Sequence, residues 1–394
     1  MILVEEKVVP DHVLNLTQSF SETRDLTEEI CKPLNKEDYT IQPIDFVSPP
    51  KWHLAHTTWF FEQFVLMPYC EGYSEFDEDF SYYFNSYYNH AGDRILRAER
   101  GMLTRPEIEE VYDYRRYVTQ CMVEFMEGKL SAEVIEVIKT GINHEQQHQE
   151  LLIYDIKYIL GNQPSFSKVD LSFTPEKVDT EQRWIGMNEG IYQIGYTDDG
   201  FHFDNEKGVH RVFLEPYQIS NRLVTNGEYL EFINDGGYKK FDFWHSDGWQ
   251  WIKDNNVTCP MYWHHVEGNW FSYQSNGLKT IDLDLPVQHI SYYEAFAFAQ
   301  WKGHRLPTEF EWEAANNRFS WGDLWEWTGS AYLPYPGYKK VDGALGEYNG
   351  KFMVNQHVMR GGSVATSPGH SRPTYRNFFH PNMRWMFSGI RLVK

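Results

Sequence analysis

Residues 144–152 read HEQQHQELL and place two histidines, His144 and His148, four positions apart in a predicted α-helix. The helix is expected to begin after Ser131, a favourable N-cap, and to end at Gly161, a favourable C′ residue. Residues four apart lie on the same side of a helix, so both imidazoles share its apolar face with Gly141. The other residues of that face are Val134, Val137, Ile138, Leu152, Ile156 and Ile159. The sequence therefore directs two imidazoles into the interior of a helical domain.

Three further predicted helices precede this one, at residues 11–32, 48–68 and 106–128, with proline- or glycine-bearing loops between them. Four long amphipathic helices joined by connections of varied length are typical of a helical bundle. We therefore predict an all-α four-helix bundle over residues 1–165.

The chain changes character after this bundle. Residues 166–183 have no helical period and are predicted to be a linker. Residues 184–394 contain short β-prone runs, many glycines and one clear helical segment, SYYEAFAFAQWKG at 291–303. This mixture predicts a second, α+β domain and makes the protein a multidomain one.

Composition narrows the function classes. The 56 acidic residues outnumber the 36 basic ones and give a formal net charge of −20, which disfavours nucleic-acid binding. We expect no membrane span, because no run of about 18 apolar residues occurs. The scattered cysteines Cys31, Cys70, Cys121 and Cys259, with no signal-peptide pattern near the start, favour reduced thiols and a cytoplasmic location. The sequence leaves homo-oligomer formation open.

A metal site would need at least one ligand besides His144 and His148. His56 lies on the apolar side of the second predicted helix, with His53 toward its edge. Three neutral imidazoles leave about three open positions on an octahedral iron(II), enough for two substrates and O2. The same ligands with zinc and water would suggest a hydrolase, and buried histidines can also be simple core residues.

A zinc protease is disfavoured, although HEQQH has the spacing of its helix motif. The metzincin pattern requires glycine and histidine further along, where this chain has Leu151 and Tyr154.

Several segments together resemble a known family. In the first half they are SPPKWHLAHTTWFFE (48–62), FNSYYNHAGDRILRAERGMLTRP (84–106) and INHEQQHQELL (142–152). In the second half they include FDNEKGVHRVFL (203–214), HRLPTEFEWEAA (304–315), GDLWEWTGSAYLPYPGY (322–338) and FSGIRL (387–392). In this order they resemble the sulfoxide synthases of ergothioneine biosynthesis, which join a DinB-like bundle to a C-type-lectin-like domain of the formylglycine-generating-enzyme fold.

The resemblance implies an iron(II)- and O2-dependent enzyme. It would join cysteine to C2 of the imidazole of Nα-trimethylhistidine (hercynine) and oxidise the sulfur to a sulfoxide. By motif, the iron ligands would be His56, His144 and His148. The second domain would cover the iron site as a wall and lid.

The resemblance also implies roles for residues of the first domain that would contact substrate. Gln147 would hydrogen-bond the substrate imidazole. Tyr87 or Tyr88 would supply a proton or hydrogen atom to the oxygen. Arg97 and Arg100 would bind the carboxylate of the thiol substrate, a task that suits the planar guanidinium.

The stretch RNFFHPNMRW, residues 376–385, suggests the sulfur donor. Family members that use γ-glutamylcysteine have an aspartate where this chain has Phe379, followed here by Arg384. The resemblance implies that Phe379 and Arg384 contact the substrates. An apolar ring cannot pair with the glutamyl ammonium group, so the pattern resembles the branch that uses free cysteine. Asn377 and Phe378 would face the trimethylammonium end of hercynine, since aromatic faces attract such cations.

Other functions stay open at this point. They include the same chemistry with a selenosugar or γ-glutamylcysteine donor, or with histidine as acceptor as in ovothiol synthesis. A zinc hydrolase and a non-catalytic small-molecule binding protein are more distant alternatives. Formylglycine generation is disfavoured, because it needs a cysteine pair and only Cys259 follows residue 160.

Overall fold

The computed structural model describes residues 11–86, 92–178, 181–340 and 349–394. The chain divides into two compact units, Met1–Ile159 and Leu160–Lys394. None of the described helices is both long and apolar enough to cross a bilayer.

The described part of the first unit is helical. Its helices are α1 (Asp11–Cys31), α2 (Pro50–Phe61), α3 (Met67–Tyr69), α4 (Phe80–Phe84), α5 (Ile108–Met126) and α6 (Ala132–Gly161). A π-helical turn, Glu62–Leu66, joins α2 to α3, so the predicted second helix is present but wound differently at its end. The prediction of a helical first domain is confirmed.

Burial explains how the long helices pack. On α5 the buried residues include Ile108, Val111, Arg115 and Val118, the spacing of a helix with one face toward a core. Every residue of α2 is buried, so this helix runs through the interior. At the start of α6, the Val134 amide donates to Ser131 Oγ at 3.3 Å, as the predicted N-cap requires.

A buried ionic cluster ties α1, α5 and α6 together. The Glu145 carboxylate accepts hydrogen bonds from Arg24 at 2.9 Å, Thr27 at 2.7 Å and Arg115 at 2.6 Å. Burial alone would raise the pKa of Glu145, but the two guanidinium groups outweigh it and lower that pKa to about 2. Glu145 therefore stays ionised and orients α6 in the bundle.

The second unit combines small sheets with short helices. Its strands are β1 (Trp184–Met187), β2 (Gly190–Ile194), β3 (His210–Leu214), β4 (Tyr217–Ser220), β5 (Trp263–Val266), β6 (Asn269–Gln274), β7 (Gly277–Thr280), β8 (Trp325–Ala331), β9 (His357–Arg360), β10 (Asn377–Phe379) and β11 (Ser388–Gly389). Its helices are α7 (Asn226–Asn234), α8 (Ser246–Asp254), α9 (Tyr292–Trp301) and α10 (Glu309–Ala315). Among the described residues, the largest sheet has the order β10-β9-β8-β11, with only the β8–β11 pair parallel. The α+β prediction is confirmed.

Local sequence signals account for the helices of this unit. The predicted helix in 291–303 is α9, which Ser291 begins by accepting a hydrogen bond from the Glu294 amide in a reciprocal capping box. Thr225 and Thr308 cap α7 and α10 in the same way, although neither helix was predicted. Both are short, so their apolar periodicity is too brief to be recognised.

Candidate metal centre

The structure brings the predicted metal ligands together. His56 of α2 and His144 and His148 of α6 each offer a ring nitrogen, and these nitrogens lie within 4.8 Å of one another. The centroid of the His148 ring is 4.7 Å from that of His56 and 4.6 Å from that of His144. Ring nitrogens this close make the three histidines a candidate set of ligands for one ion.

Gly141 allows α2 to approach α6 at this point. A Cβ atom on Gly141 would lie 2.5 Å from Phe61 Cε1 and 2.9 Å from Phe60 Cε1, so only glycine leaves space for both rings. The Phe60 ring in turn packs against His144, with centroids 4.8 Å apart. The glycine that the sequence places beside the histidines therefore sets the spacing of the two ligand-bearing helices.

Hydrogen bonds select the nitrogen that each of two histidines presents. His56 Nδ1 donates to the Phe84 carbonyl at 2.6 Å, which leaves Nε2 for a metal. His148 Nδ1 lies 2.9 Å from His53 Nδ1, which likewise leaves Nε2 of His148. His53 Nε2 is 3.0 Å from Asp155 Oδ2. Sequence reasoning missed this use of His53 and Asp155.

Burial keeps the imidazoles in the form that binds metals. Loss of hydration lowers the pKa of His144 to about 3 and is the largest cause of the lowered pKa values of His56 and His148. The electrostatic effect of His144 lowers both of the latter further. At neutral pH the rings are therefore uncharged, and their lone pairs can coordinate a cation.

An aromatic and cationic wall lies beside the histidines. The Trp52 ring stacks on His56 with centroids 4.4 Å apart and an interplanar angle of 15°. Arg100 Cζ lies 3.3 Å from the centre of the Trp52 ring, and the guanidinium donates to Ser48 Oγ at 2.9 Å and Ser86 Oγ at 3.0 Å. The buried guanidinium of Arg100 and the candidate ligand His56 thus contact the same Trp52 ring.

The remaining predicted site residues of the first unit are Arg97, Gln147, Tyr87 and Tyr88. Arg97 donates from its guanidinium to the Phe46 carbonyl. Gln147 lies on α6 between the two histidines and is partly buried. Tyr87 and Tyr88 lie outside the described residues.

Glu145 occupies the position of a zinc-protease general base, but it does not serve that purpose here. Its oxygens are held by Arg24, Arg115 and Thr27 on the side of α6 that faces α1 and α5. A carboxylate engaged in this way cannot act on a substrate at the histidines.

Within the second unit, the predicted substrate contacts lie on or near β10. The Phe378 ring stacks on Tyr332 with centroids 4.0 Å apart. The Phe379 ring meets Trp385 edge-on at 5.2 Å. The Asn377 side chain accepts from the Phe378 amide at 2.9 Å.

Arg384 is engaged within its own unit. It donates to the Cys259 carbonyl at 2.9 Å and to Glu294 at 3.2 Å. Its charge is therefore balanced by a buried carboxylate, an arrangement that the sequence did not reveal.

Comparison with known proteins places both units in established domain families. Residues 19–152 match the DinB superfamily. Residues 171–321 and 319–394 match the sulfatase-modifying factor enzyme 1-like domain. The order of the two domains is the one that the sequence motifs predicted.

Several curated proteins are similar to this chain over half or more of its length. A protein of Mycobacterium tuberculosis (strain ATCC 25618 / H37Rv) named hercynine oxygenase is 30% identical over 300 residues, which cover 64% of this chain and 70% of that protein. The chain belongs to the hercynine oxygenase family. A hercynine oxygenase of Mycolicibacterium smegmatis (strain ATCC 700084 / mc(2)155) is 29% identical over 306 residues, 64% of this chain and 70% of that protein. Ergothioneine biosynthesis protein 1 of Schizosaccharomyces pombe (strain 972 / ATCC 24843) is 27% identical over 238 residues, 50% of this chain and 28% of that protein. In this member of the family, the cluster of His56, His144 and His148 is the candidate metal centre.

Proposed function

We propose that this chain is an iron(II)- and O2-dependent sulfoxide synthase that joins cysteine to C2 of the hercynine imidazole. The observation that carries the proposal is the cluster of His56, His144 and the partly buried His148, in a chain of the hercynine oxygenase family. The product would be hercynylcysteine sulfoxide. The stoichiometry closes without another reductant: the thiol hydrogen and the C2 hydrogen leave as water with one oxygen atom, and the other oxygen atom stays on sulfur.

The donor set fits iron(II). Three uncharged nitrogen ligands leave the full charge of the ion and about three coordination positions for other groups. When bound, the iron would hold the thiolate, the imidazole and O2 close together and make the transfer of electrons from the substrates to O2 possible. His56 and His148 would bind through Nε2, since the Nδ1 atom of each is already hydrogen-bonded.

Residues near the histidines would bind and orient the substrates. Arg100 supplies a buried positive charge over Trp52, which would stabilise the carboxylate of the sulfur donor. Gln147, on α6 between the two histidines, would orient the hercynine imidazole. Tyr87 or Tyr88 would supply the proton or hydrogen atom that favours C–S bond formation over oxidation of the thiol alone.

The choice of cysteine over γ-glutamylcysteine rests on Phe379. Its ring packs against Trp385 and carries no charge that could pair with a glutamyl ammonium group. Asn377 and Phe378 remain the predicted contacts of the trimethylammonium group, and Arg384 remains a predicted substrate contact although Glu294 already engages it.

A single reaction tests the proposal. The protein is loaded anaerobically with Fe(II), then given O2, hercynine and an equal mixture of cysteine and γ-glutamylcysteine, and the products are identified by mass spectrometry. We expect hercynylcysteine sulfoxide as the main product. Cysteine sulfinate without any C–S coupled product would refute synthase activity, and preferential coupling of γ-glutamylcysteine would refute the assignment of the donor.

A further inference from the structure

Behind His148 lies a chain of hydrogen bonds that links the two ligand-bearing helices. It runs from His148 Nδ1 to His53 Nδ1 at 2.9 Å and from His53 Nε2 to Asp155 Oδ2 at 3.0 Å. His53 lies on α2 and Asp155 on α6, two turns beyond His148. Both are buried, with 2% and 1% of their surface exposed. We call His148, His53 and Asp155 the ligand relay.

The chemistry of the donors fixes the direction of the ligand relay. An ionised carboxylate can only accept, and Asp155 Oδ2 already accepts from the Ser48 amide at 2.8 Å. His53 Nε2 must then carry the hydrogen and donate to Asp155. In a neutral His53, Nδ1 carries a lone pair, so it accepts from Nδ1–H of His148. The remaining nitrogen of His148, Nε2, is then unprotonated.

The backing of His148 differs from that of His56. His56 Nδ1 donates to a neutral peptide carbonyl, that of Phe84. His148 is connected through His53 to a full negative charge. A hydrogen bond toward a carboxylate makes an imidazole a stronger electron donor and holds its ring in one orientation. The two ligands therefore differ in what their Nδ1 atoms contact, a peptide carbonyl for His56 and a histidine backed by a carboxylate for His148.

We infer that His53 and Asp155 are positioning residues that fix the tautomer of His148 and direct its Nε2 toward the metal. The inference rests on the metal centre of the proposed function. The ligand relay also couples metal binding to the packing of α2 against α6, since one of its members comes from α2 and two from α6. Loss of His53 would therefore weaken metal binding without removing any ligand.

Metal titration of the full chain tests the inference, with Co(II) as a probe that also reports its coordination by visible absorption. His53→Leu, which removes the acceptor, should lower the affinity about 10- to 100-fold, the range typical of lost outer-sphere partners, and should alter the Co(II) spectrum. His53→Gln should retain more affinity, because its amide has an acceptor and a donor to replace the two ring nitrogens. As a single change, Asp155→Asn should weaken metal binding. Combined with His53→Leu, it should weaken metal binding little further, since both residues act through the same chain of hydrogen bonds.

Gln149 provides a matched control. It is buried on α6 next to His148, and its amide donates to the Thr23 carbonyl at 2.7 Å and to Thr27 Oγ1 at 3.0 Å, away from the ligand relay. Gln149→Leu should lower the melting temperature but leave the Co(II) affinity and spectrum unchanged.

Three results are decisive against the inference. A His53→Leu variant with wild-type affinity and spectrum would overturn it, and so would an equal loss in Gln149→Leu. Absence of Co(II) and Fe(II) binding by the wild-type chain would overturn both the ligand relay and the metal centre. Metal binding that follows the ligand relay, without sulfoxide formation, would refute only the proposed reaction.

Discussion

At the scale of single residues, the candidate site consists of histidines whose uncharged rings carry a nitrogen lone pair that can coordinate a metal. Burial lowers the pKa of His144 to about 3, so this ring stays neutral across the physiological range. A neutral imidazole keeps one nitrogen lone pair. A cation shared with His56 and His148 would use it, so the close approach of the three rings favours a metal centre over three separate core residues.

His144→Ala tests the ligand assignment. Removing one of three ligands should abolish stoichiometric Fe(II) binding and coupling activity, because two imidazoles alone hold the ion weakly. Metal content after desalting provides the measurement, with circular dichroism to verify folding. The control is His380→Ala, an exposed histidine whose ring Nδ1 lies 3.1 Å from the Asn355 carbonyl, and it should bind iron normally. Full iron occupancy in His144→Ala would contradict the assignment.

Phe379→Asp tests the assignment of the sulfur donor. A carboxylate at this position could pair with the ammonium of γ-glutamylcysteine, and a charge-assisted hydrogen bond contributes about 1.5–3 kcal/mol, a change in preference of roughly 10- to 100-fold. The ratio of kcat/KM for γ-glutamylcysteine to that for cysteine should rise by that factor. Phe379→Leu keeps an apolar side chain and should not shift the ratio. An unchanged ratio in Phe379→Asp would place the donor's amino end elsewhere.

At the scale of helices, the close approach of α2 and α6 depends on a residue without a side chain. Gly141→Ala would improve intrinsic helix propensity by about 1 kcal/mol. It would also force a methyl group against Phe60 and Phe61, at a cost of about 1–3 kcal/mol for overpacking. We expect a variant that is slightly less stable and that binds metal more weakly, because the two helices must move apart.

Urea unfolding and Co(II) titration of Gly141→Ala measure both effects. Thr140→Ala is the control, since Thr140 is next in sequence and its hydroxyl only donates back to the Glu136 carbonyl at 2.8 Å. It should keep the wild-type metal affinity. Wild-type stability and affinity in Gly141→Ala would show that the bundle adapts to a Cβ atom at this point.

Glu62, in the π-helical turn between α2 and α3, should make the free energy of unfolding depend on pH. Glu62 is buried there and accepts from Tyr73 at 2.6 Å, Tyr114 at 2.5 Å and the Phe76 amide at 3.1 Å. Burial is the largest influence and raises the pKa of Glu62 above 4.5, although these hydrogen bonds oppose it. The folded state then binds more protons than the unfolded state between pH 4.5 and the raised pKa, so Glu62 makes stability fall as pH rises through that window.

Glu62→Gln should remove this contribution. The free energy of unfolding, measured by urea titration at several pH values from 4.5 to 7, should fall less steeply with pH in the variant than in the wild-type protein. Glu78→Gln is a control in the segment before α4, since the Glu78 side chain is exposed. Identical slopes for Glu62→Gln and the wild-type protein would exclude the effect.

At the scale of the whole molecule, the sequence predicted what depends on periodicity and missed what depends on packing. The helical pattern placed His144 and His148 on an interior face, and the wheel of the second helix placed His56 there too. His53 was assigned to the edge of that wheel, because nothing local shows that Asp155, far along the chain, meets it. Short helices such as α10 and the contact of Arg384 with Glu294 also follow from tertiary packing.

The division into two units gives a prediction for the complete chain. The histidines lie in the unit Met1–Ile159, so a bound metal stabilises the native state of that unit by linkage, about 2.7 kcal/mol at a concentration 100 times Kd. In calorimetry we expect Co(II) to raise the transition of this unit and to leave that of Leu160–Lys394 in place. Arg391→Met identifies the latter transition. Two nitrogens of Arg391 donate to the buried Glu326 carboxylate at 2.7 Å. Removing this partner leaves a buried charge without its ion pair and should lower the stability of that unit by about 3–5 kcal/mol. His144→Ala should abolish the metal-induced shift, whereas equal shifts of both transitions would mean that the chain unfolds as one cooperative body.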